Sequence, residues 1–429
     1  MLHLTTTDPD FPARFAALVG ARREADADVS RDVAAIIARV RAEGDAALRA
    51  LTRQFDGHDL DESGWRIEPA AWRAAYQGLA PDLRAALDLA AARIRAYHAR
   101  QRPEDATYEE AGIRLGARWR PVDAAGVYVP GGRAAYPSSV LMNALPAKVA
   151  GVERLVMVTP TPRGAVNPLV LAAAHVAGVD ELWRVGGAQA IAALAFGTDR
   201  IAPVDVITGP GNAWVAEAKR QLYGVVGIDM VAGPSEIVVV ADGANDPVLT
   251  AADLLSQAEH DPTSQSILFT DDAGFAQAVA AEVEAHLATL ATQAVARASW
   301  EAHGAIIVAP LDAVPPLIDA LAPEHLQLAV EDPRALFDRV RHAGSVFLGR
   351  HTPEAIGDYV AGPNHVLPTG RRARFSSGLS VLDFMKRTSF LALERTGLAE
   401  IGPAAVALAE AEGLPAHARS VALRLNRRD

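Results

Sequence analysis

The sequence predicts an α/β protein made of two Rossmann-like α/β/α lobes, with a helical N-terminal region and a small C-terminal helical arm. Two observations lead to this fold class. From about Arg120 onward, short apolar runs of β type alternate with helical runs, which is typical of βαβ units in a mostly parallel sheet. A second series of the same kind begins after the segment Ile228–Ser235. We therefore infer two lobes, and no exact sequence repeat supports a duplication.

Each predicted series consists of short strands followed by helices. The first series comprises Arg154–Thr159, Pro168–Ala177, Glu181–Val185, Ala188–Phe196, Val204–Thr208 and Asn212–Tyr223. The second comprises Glu236–Ala241, a helix ending at His260, Ser264–Thr270, Ala273–Leu290, Ala305–Ala309, Leu326–Val330 and Ser345–Leu348.

The regions before and after these series have other patterns. Ser30 can cap a helix whose apolar residues recur at i, i+3, i+4 and i+7, and a second helix runs from about Pro81 to Arg100. The segment Gly349–Ser377 is rich in glycine and proline, and a loop of this length in a compact protein is usually functional or disordered. The last fifty residues are helical, with a break at Gly413–Pro415.

Composition limits the class of protein. The chain has 429 residues, 50% of them hydrophobic and 22% charged, with a formal net charge of −11 spread along the sequence. This is a globular composition with ample core, no basic run indicates nucleic-acid binding, and no segment approaches a membrane-spanning apolar run. The N-terminus lacks the basic start and apolar core of a signal peptide, so we expect a cytoplasmic protein.

The absence of cysteine excludes several chemistries. The chain cannot form a thiolate zinc site, an iron–sulfur cluster or a thiol nucleophile. Any metal must therefore be held by nitrogen and oxygen ligands, and any aldehyde oxidation must proceed without a covalent thioester.

Three Gly-rich turns lie in the first predicted lobe, at Tyr128–Arg133, Val185–Gln189 and Asp205–Asn212. Backbone N–H groups at such junctions can bind a phosphate or a ribose, and ligands of open α/β sheets lie at the carboxyl ends of strands. The alternative is that the glycines merely terminate the strands. Neither G-x-G-x-x-G after a strand nor G-x-x-x-x-G-K-[ST] occurs, so a dinucleotide would bind here without the standard loop.

Gln257 and His260 lie three residues apart near the end of a predicted helix that Pro262 terminates. On a helix they share one face and can reach the same point. An amide oxygen beside an imidazole is a plausible half of a divalent-metal site. A histidine that caps the helix is the structural alternative.

Other candidate side chains lie at element boundaries and in the long loop. Glu324 and His325 can form a general acid/base pair if a bend, which Pro323 can supply, lets both reach one pocket. Without that bend, Glu324 would face solvent and His325 would be partly buried. In the loop, either Asp358 or His365 could complete a metal site.

Glu412 and His417 flank the break at Gly413–Pro415. Polar groups at a helix break in an Ala-rich arm could reach a pocket, including one in a partner subunit. Such residues are otherwise ordinary surface residues.

Taken together and in this order, these stretches resemble the histidinol dehydrogenase family. The similarity runs from about Arg120 to the C-terminus, and the N-terminal helices are compatible with it. It is strongest in Gly126–Val140, Val185–Phe196, Ile207–Gln221, Asp229–Ser235, Leu254–Pro262, Pro323–Leu326, Gly344–Gly349 and Gly357–Thr369.

The resemblance implies a zinc-dependent, NAD-linked oxidation of L-histidinol to L-histidine through L-histidinal, the last step of histidine biosynthesis, with two NAD reduced. It implies one zinc ion per subunit of a domain-swapped homodimer and a catalytic pair at Glu324 and His325. The implied zinc ligands are Gln257, His260 and Asp358, with His417 of the partner subunit.

The resemblance also assigns the remaining binding positions. NAD would contact Tyr128, Gln189 and Asn212. Substrate contacts fall on Ser235, Gln257, His260, Glu324, His325, Asp358, Glu412 and His417.

The predicted division of the chain has four parts. Residues 1–25 pack with the C-terminal arm, and residues 26–119 with 236–376 form the lobe that carries the metal and catalytic residues. Residues 120–235 form the NAD-binding lobe, and residues 377–429 form the dimerisation arm.

Two other classes share parts of this pattern. A zinc hydrolase could use the same ligands, with Glu324 activating a metal-bound water, but it would not need three Gly-rich turns. A two-lobed solute-binding protein would also have a cleft between α/β lobes, but it would normally carry an export signal and bind its ligand without turnover.

Overall fold

The computed structural model describes residues 1–21, 29–131, 136–231 and 233–426. The chain divides into two compact units. The larger comprises Met1–Gln101 and Asp123–Phe384, and the smaller comprises Arg102–Val122 and Met385–Asp429. Among the described residues, the helices all fall short of the length and apolar character needed to cross a bilayer.

The elements are numbered along the chain. The N-terminal region contains β1 (Leu2–Thr5), α1 (Phe11–Gly20), α2 (Ser30–Glu43), α3 (Asp45–Asp56), α4 (Leu60–Ser63), α5 (Pro69–Gln77) and α6 (Pro81–Ala99). It is followed by β2 (Ala106–Glu110) and β3 (Ile113–Pro121). The first α/β series contains β4 (Ala124–Tyr128), α7 (Pro137–Ala150), β5 (Arg154–Val158), α8 (Pro168–Ala177), β6 (Glu181–Trp183), α9 (Gly187–Phe196), β7 (Val206–Thr208), α10 (Ala213–Leu222) and β8 (Gly227–Ile228).

The second series and the C-terminal region follow. The second series contains β9 (Glu236–Ala241), α11 (Pro247–Ala258), β10 (Gln265–Thr270), α12 (Ala273–Leu287), α13 (Gln293–His303), β11 (Ala305–Val308), α14 (Val314–Leu321), β12 (His325–Ala329), α15 (Pro333–Phe337) and β13 (Ser345–Leu348). The C-terminal region contains β14 (Met385–Leu393), α16 (Arg395–Ala411) and α17 (Pro415–Leu425).

Each α/β series builds one parallel sheet, which confirms the predicted fold class. The first series forms a five-stranded sheet in the order β6-β5-β4-β7-β8. The second forms a six-stranded sheet in the order β1-β11-β10-β9-β12-β13. The central strands β9 and β10 are buried along their whole length, as expected for parallel strands covered on both faces by helices.

The six-stranded sheet includes an edge strand that the sequence analysis did not predict. Residues Leu2–Thr5 pair in parallel with Ala305–Val308. Four residues are too few for a periodic signal, and the pairing partner lies about three hundred positions away in the chain. Residues 22–25 of the predicted N-terminal segment lie outside the described residues. The packing of residues 1–25 with the C-terminal arm remains a prediction.

The packing of α2 and α3 corrects the predicted division of the chain, which assigned residues 26–119 to the same lobe as residues 236–376. Val33 of α2 and Leu48 of α3 share a core with Val156 and Ile191 of the five-stranded lobe. The physical reason is that α9 is apolar around its whole circumference and nearly all of its residues are buried. Such a helix needs apolar cover on the side away from its sheet, and α2 and α3 provide it.

The smaller unit contains strands as well as the predicted C-terminal helices. β3 pairs antiparallel with both β2 and β14, so that Gly116 lies opposite Phe390. The predicted helix break is confirmed, since α16 ends at Ala411 and α17 begins at Pro415. The predicted loop region is confirmed too: residues 349–384 contain only short 3-10 turns.

The packing of α11 generates a stability prediction. Leu254 is fully buried between α11 and the six-stranded sheet, whereas Leu249 on the same helix is 60% exposed. We expect Leu254→Ala to lower the free energy of unfolding by about 2–5 kcal/mol, because it removes buried methyl groups and leaves a cavity. Leu249→Ala is the matched control and should change it by less than about 0.5 kcal/mol. Urea denaturation of both variants measures the difference, and equal midpoints would contradict the packing described here.

Candidate active site between the two sheets

The candidate site lies where the carboxyl edge of the five-stranded sheet faces the amino edge of the six-stranded sheet. A cavity of about 420 Å³ opens between these edges. A cavity of this size suits a small-molecule ligand. Its lining includes Gly209 and Asn212 on one side and Ser235, His260, Glu324, His325 and Asp358 on the other.

Gln257 and His260 are brought together by the end of α11. The helix is capped at its start by Asp246, whose side chain accepts a hydrogen bond from the Val248 N–H. It ends at Ala258, and the His260 N–H still donates to the Gln257 carbonyl at 3.3 Å. The Gln257 side chain is fully buried, and its Nε2 lies 3.3 Å from His260 Nδ1. The prediction that these two side chains reach one point is confirmed.

Glu324 and His325 occupy the start of β12. The bend that the sequence analysis required lies at Ala322, which takes a left-handed conformation with φ 43° just before Pro323. The strand begins at His325, one residue earlier than predicted. Glu324 Oε2 accepts a hydrogen bond from the Glu236 N–H at 3.0 Å and lies 3.8 Å from His325 Nδ1. Both side chains are buried and both line the cavity.

The contacts of His325 define its tautomer. Nδ1 lies 3.0 Å from Gln257 Oε1 and 3.1 Å from the Glu236 carbonyl oxygen. Both partners are acceptors, so Nδ1 carries the proton and Nε2 is the basic nitrogen. Burial lowers the pKa of His325 to about 4, so the ring is neutral near pH 7. The site therefore contains a neutral imidazole with one nitrogen available to accept a proton.

Burial acts on Glu324 in the opposite direction. It raises the pKa of this carboxyl well above its ordinary value, although the hydrogen bond from the Glu236 N–H opposes the shift. A carboxylate with a raised pKa is a stronger base once ionised.

Glu354, which is not predicted from the sequence, lies in a 3-10 turn and is buried beside His325. Its Oε1 is 3.4 Å from His325 Nε2 and makes no hydrogen bond with the described residues. Burial and the nearby charge of Asp358 raise the pKa of Glu354 to about 8. The only sequence signal was its position four residues before Asp358 in the long loop, and that spacing carries no weight outside a helix.

Asp358 belongs to the same cluster. Burial would raise its pKa, but the hydrogen bond and charge of His365, at 3.5 Å from Asp358 Oδ1, outweigh burial and lower it. Ligand atoms of His325, Glu354 and Asp358 all lie within 4.8 Å of one another. These three residues could together hold a metal ion. His260 also lines the cavity, and its charge acts on the pKa values of His325 and Asp358.

The predicted cofactor positions all lie at the carboxyl edge of the five-stranded sheet. Tyr128 ends β4, and its hydroxyl accepts a hydrogen bond from the Gly187 N–H at 3.2 Å. Burial raises the pKa of Tyr128 to about 12. Gln189 lies in the first turn of α9 and is buried, and Asn212 caps α10 by accepting from the Trp214 and Val215 N–H groups. Gly132 and Arg133 of the first Gly-rich turn lie outside the described residues.

A buried ion pair fixes the turn that leads to Asn212. Lys219 contacts Asp229, and both side chains are almost completely buried. Lys219 Nζ also donates to the Gly209 carbonyl at 3.0 Å, and Asp229 Oδ2 accepts from the Gly209 N–H at 2.8 Å. Gly209 has φ 116°, and a Cβ there would lie 2.1 Å from the Tyr128 carbonyl oxygen. Only glycine fits this position.

Glu412 and His417 lie in the smaller unit, where both are exposed. Their predicted roles as substrate and zinc ligands, the latter from a partner subunit, remain predictions.

A larger surface depression, of about 1280 Å³, lies at the carboxyl edge of the six-stranded sheet. Three of its carboxylates have structural partners: Asp272 and Asp332 cap α12 and α15, and Asp242 binds Arg350. We assign no chemistry to it.

Comparison with known proteins identifies the family. The family model for histidinol dehydrogenase matches residues 20–425. The histidinol dehydrogenase of Zymomonas mobilis is 64% identical over 429 residues and covers 100% of both chains, and that of Rhodospirillum rubrum is 61% identical over 99% of both. The chain belongs to the histidinol dehydrogenase family. A crystal structure of a histidinol dehydrogenase from Elizabethkingia anophelis matches with a TM-score of 0.94 at 35% identity, covering 99% of this chain and 98% of that one.

The ion pair beside Gly209 generates a second prediction for this member of the histidinol dehydrogenase family. Lys219→Met leaves the buried Asp229 carboxylate without its counter-charge, so we expect the free energy of unfolding to fall by about 3–5 kcal/mol. Lys148→Met is the control, because its pair with Asp180 is partly exposed and should contribute about 0–1 kcal/mol. Urea denaturation compares the two, and a Lys219 variant as stable as the control would contradict the assignment.

The loop that carries Asp358 and His365 generates a prediction on pH. His98 is fully buried; Nδ1 donates to Gln101 Oε1 at 2.6 Å, and Nε2 accepts from Asn364 Nδ2 at 3.3 Å. Burial lowers the pKa of His98 below its ordinary 6.5. The unfolded chain therefore binds more protons below pH 6.5, and stability should fall as pH decreases, by up to about 1.4 kcal/mol per pH unit.

Urea denaturation between pH 7.5 and pH 5 tests this expectation. His98→Gln should be less stable than the wild type at pH 7.5 but should lose less stability on acidification. His3→Gln, at an exposed histidine, should keep the wild-type slope. An unchanged slope in the His98 variant would show that another group accounts for the acid sensitivity.

Proposed function

We propose that this chain oxidises L-histidinol to L-histidine through L-histidinal, with reduction of two NAD, as the last step of histidine biosynthesis. Oxidation of histidinol is the activity of its family. One observation carries the residue assignment. A single cavity brings the buried pair Glu324 and His325 to the edge of the sheet at which Tyr128, Gln189 and Asn212 lie.

His325 is proposed as the base in both oxidation steps. Each step removes a hydride from carbon and a proton from the hydroxyl oxygen on that carbon. The neutral ring can accept this proton at Nε2, because Nδ1 already carries one and donates it to Gln257 or Glu236. The buried contacts of Nδ1 hold the ring in place while Nε2 acts.

Glu324 is proposed as the base that prepares the second oxidation. The aldehyde lacks a hydroxyl group, so water must first add to its carbonyl carbon and give the hydrate. The ionised Glu324 carboxylate can accept a proton from that water. The hydrate then loses its hydride and a hydroxyl proton to give the acid, with His325 again as base. A chain without cysteine has no thiol for the alternative covalent route.

The donor set fits a zinc ion held by nitrogen and oxygen. Gln257, His260 and Asp358 would hold it, with His417 of the partner subunit. Glu354 Oε1 makes no hydrogen bond with the described residues, and burial and the charge of Asp358 raise the pKa of Glu354. A cation at this point would offset the repulsion that ionisation of both carboxyls creates, which supports a metal here. A bound zinc would anchor the imidazole and amine of histidinol and so orient its alcohol.

On the opposite sheet, Tyr128, Gln189 and Asn212 are proposed to bind NAD, which supplies the hydride acceptor. The N-terminus of α10 and the Gly209 turn offer backbone N–H groups suited to an anionic cofactor. Ser235 and Glu412, the latter from the C-terminal arm, are proposed substrate contacts. The proposal includes a metal-binding and catalytic lobe around the six-stranded sheet, an NAD-binding lobe around the five-stranded sheet and a C-terminal dimerisation arm. It also includes a domain-swapped homodimer and a cytoplasmic location.

Substitution of the catalytic pair tests the residue assignment. His325→Asn and Glu324→Gln should each lower kcat by about 10²–10⁴-fold with a much smaller change in KM, because each removes a proton acceptor but keeps a polar side chain that can contact the substrate. The exposed His351→Asn is the control and should behave as the wild type. Steady-state rates of NADH formation measure the effect. A His325 variant within roughly tenfold of the wild-type rate would rule out the base role.

Product stoichiometry tests the reaction itself. The protein with histidinol and NAD should form two NADH for each histidine, and a zinc chelator should abolish this activity until zinc is restored. One NADH per histidinol, with histidinal as the final product, would contradict the four-electron oxidation. Hydrolysis without any change in nicotinamide absorbance would instead favour a zinc hydrolase.

A further inference from the structure

The five-stranded sheet has the strand order of a dinucleotide-binding fold but lacks one of its usual side chains. β4 comes first in the chain, β5 and β6 follow on one side of it, and β7 lies on the other side. In sheets of this kind an acidic residue about 20 positions after the first turn binds the adenosine ribose of NAD. Here no Asp or Glu occurs between Val158, which ends β5, and Asp180.

A carboxylate from the N-terminal region occupies this place. α3 ends at Asp56, and Gly57, with φ 72°, turns the chain. Asp56 Oδ2 accepts a hydrogen bond from the backbone N–H of Thr161, at 3.3 Å, in the segment just beyond β5. A second contact holds the same segment, because His58 Nε2 lies 2.8 Å from Thr161 Oγ1.

Asp56 retains capacity to bind a ligand. It is half-buried, and the Thr161 N–H is its only hydrogen-bond donor among the described residues. The guanidinium of Arg184, whose charge acts on His58, is buried and donates to the Gly164 carbonyl. Burial raises the pKa of Asp56, and its charge adds to the effect of burial in raising the pKa of Tyr128. Asp56 is thus near the end of β4, on the side of β5, whereas Asn212 is on the side of β7.

We propose that Asp56 binds the ribose hydroxyls of the adenosine half of NAD and selects NAD over NADP. This inference rests on the proposed function. A carboxylate accepts hydrogen bonds from two vicinal hydroxyls, and it repels the 2′-phosphate of NADP. In the usual fold the acidic residue follows the second strand of the sheet. Here Asp56, at the end of α3, would take its place, because α3 packs against the five-stranded lobe.

Binding measurements on the whole protein, without turnover, test the inference. Asp56→Asn should raise the Kd of NADH by about tenfold to hundredfold, because a charged hydrogen-bond acceptor is lost, while NADPH should bind no more weakly than before. The variant should also bind AMP more weakly than the wild type does. The Kd of nicotinamide mononucleotide should stay within about twofold of its wild-type value. Asp56→Glu should retain part of the preference for NADH.

Asp199→Asn is the matched control, since this aspartate of the same lobe is exposed and accepts no hydrogen bond from the described residues. The wild-type protein alone provides a further test. It should bind 5′-AMP at least about tenfold more tightly than adenosine 2′,5′-bisphosphate.

Three results would overturn the inference. The first is an NADH-to-NADPH affinity ratio that Asp56→Asn leaves within about twofold of the wild type. The second is an equal loss of AMP and nicotinamide mononucleotide binding, which would show that Asp56 only supports the loop. The third applies if the variant does not fold. It is equal affinity of the wild-type protein for 5′-AMP and adenosine 2′,5′-bisphosphate. A wild type that binds neither NADH nor AMP would contradict the proposed function itself.

Discussion

The arrangement of the candidate site depends on the buried contacts of one imidazole nitrogen. His325 Nδ1 faces Gln257 Oε1 and the Glu236 carbonyl, and these three residues come from β12, α11 and β9. Because both partners are acceptors, one tautomer is fixed and the basic nitrogen is directed away from them. The same contacts tie Gln257, a proposed metal ligand, to the proposed base.

The opposite edge is held by a different kind of interaction. Lys219 and Asp229 are buried charges, and each also bonds one backbone group of Gly209. A buried ion pair contributes little net stability, yet breaking it is costly, so it serves well to hold a turn in one conformation. Gly209 then lies against the Tyr128 carbonyl, which sets the approach to Asn212. Each sheet thus fixes its own part of the site without relying on the other.

Features that depend on residues close together in the sequence could be predicted, whereas contacts between residues far apart in the sequence could not. The two α/β series, the Gln257–His260 pair and the adjacency of Glu324 and His325 depend on local spacing, and periodicity is sufficient for them. Glu354 beside His325, β1 beside β11 and Asp56 beside Thr161 depend on tertiary packing across tens to hundreds of residues. The packing of α2 and α3 was mispredicted because an amphipathic helix shows that it has an apolar face but not which surface covers it.

Ligands of open α/β sheets usually bind at the carboxyl ends of the strands. That rule predicts the proposed cofactor residues of this site but not Glu324 and His325, which lie at the amino edge of the six-stranded sheet. At the carboxyl edge of the five-stranded sheet, helices α9 and α10 begin, and helix N-termini offer N–H donors suited to an anionic cofactor. The amino edge of the six-stranded sheet offers instead backbone carbonyls such as that of Glu236, which can orient an imidazole. The proposed oxidation needs both a bound anionic cofactor and a positioned base, and one edge of each kind, facing each other across a single cavity, would supply them.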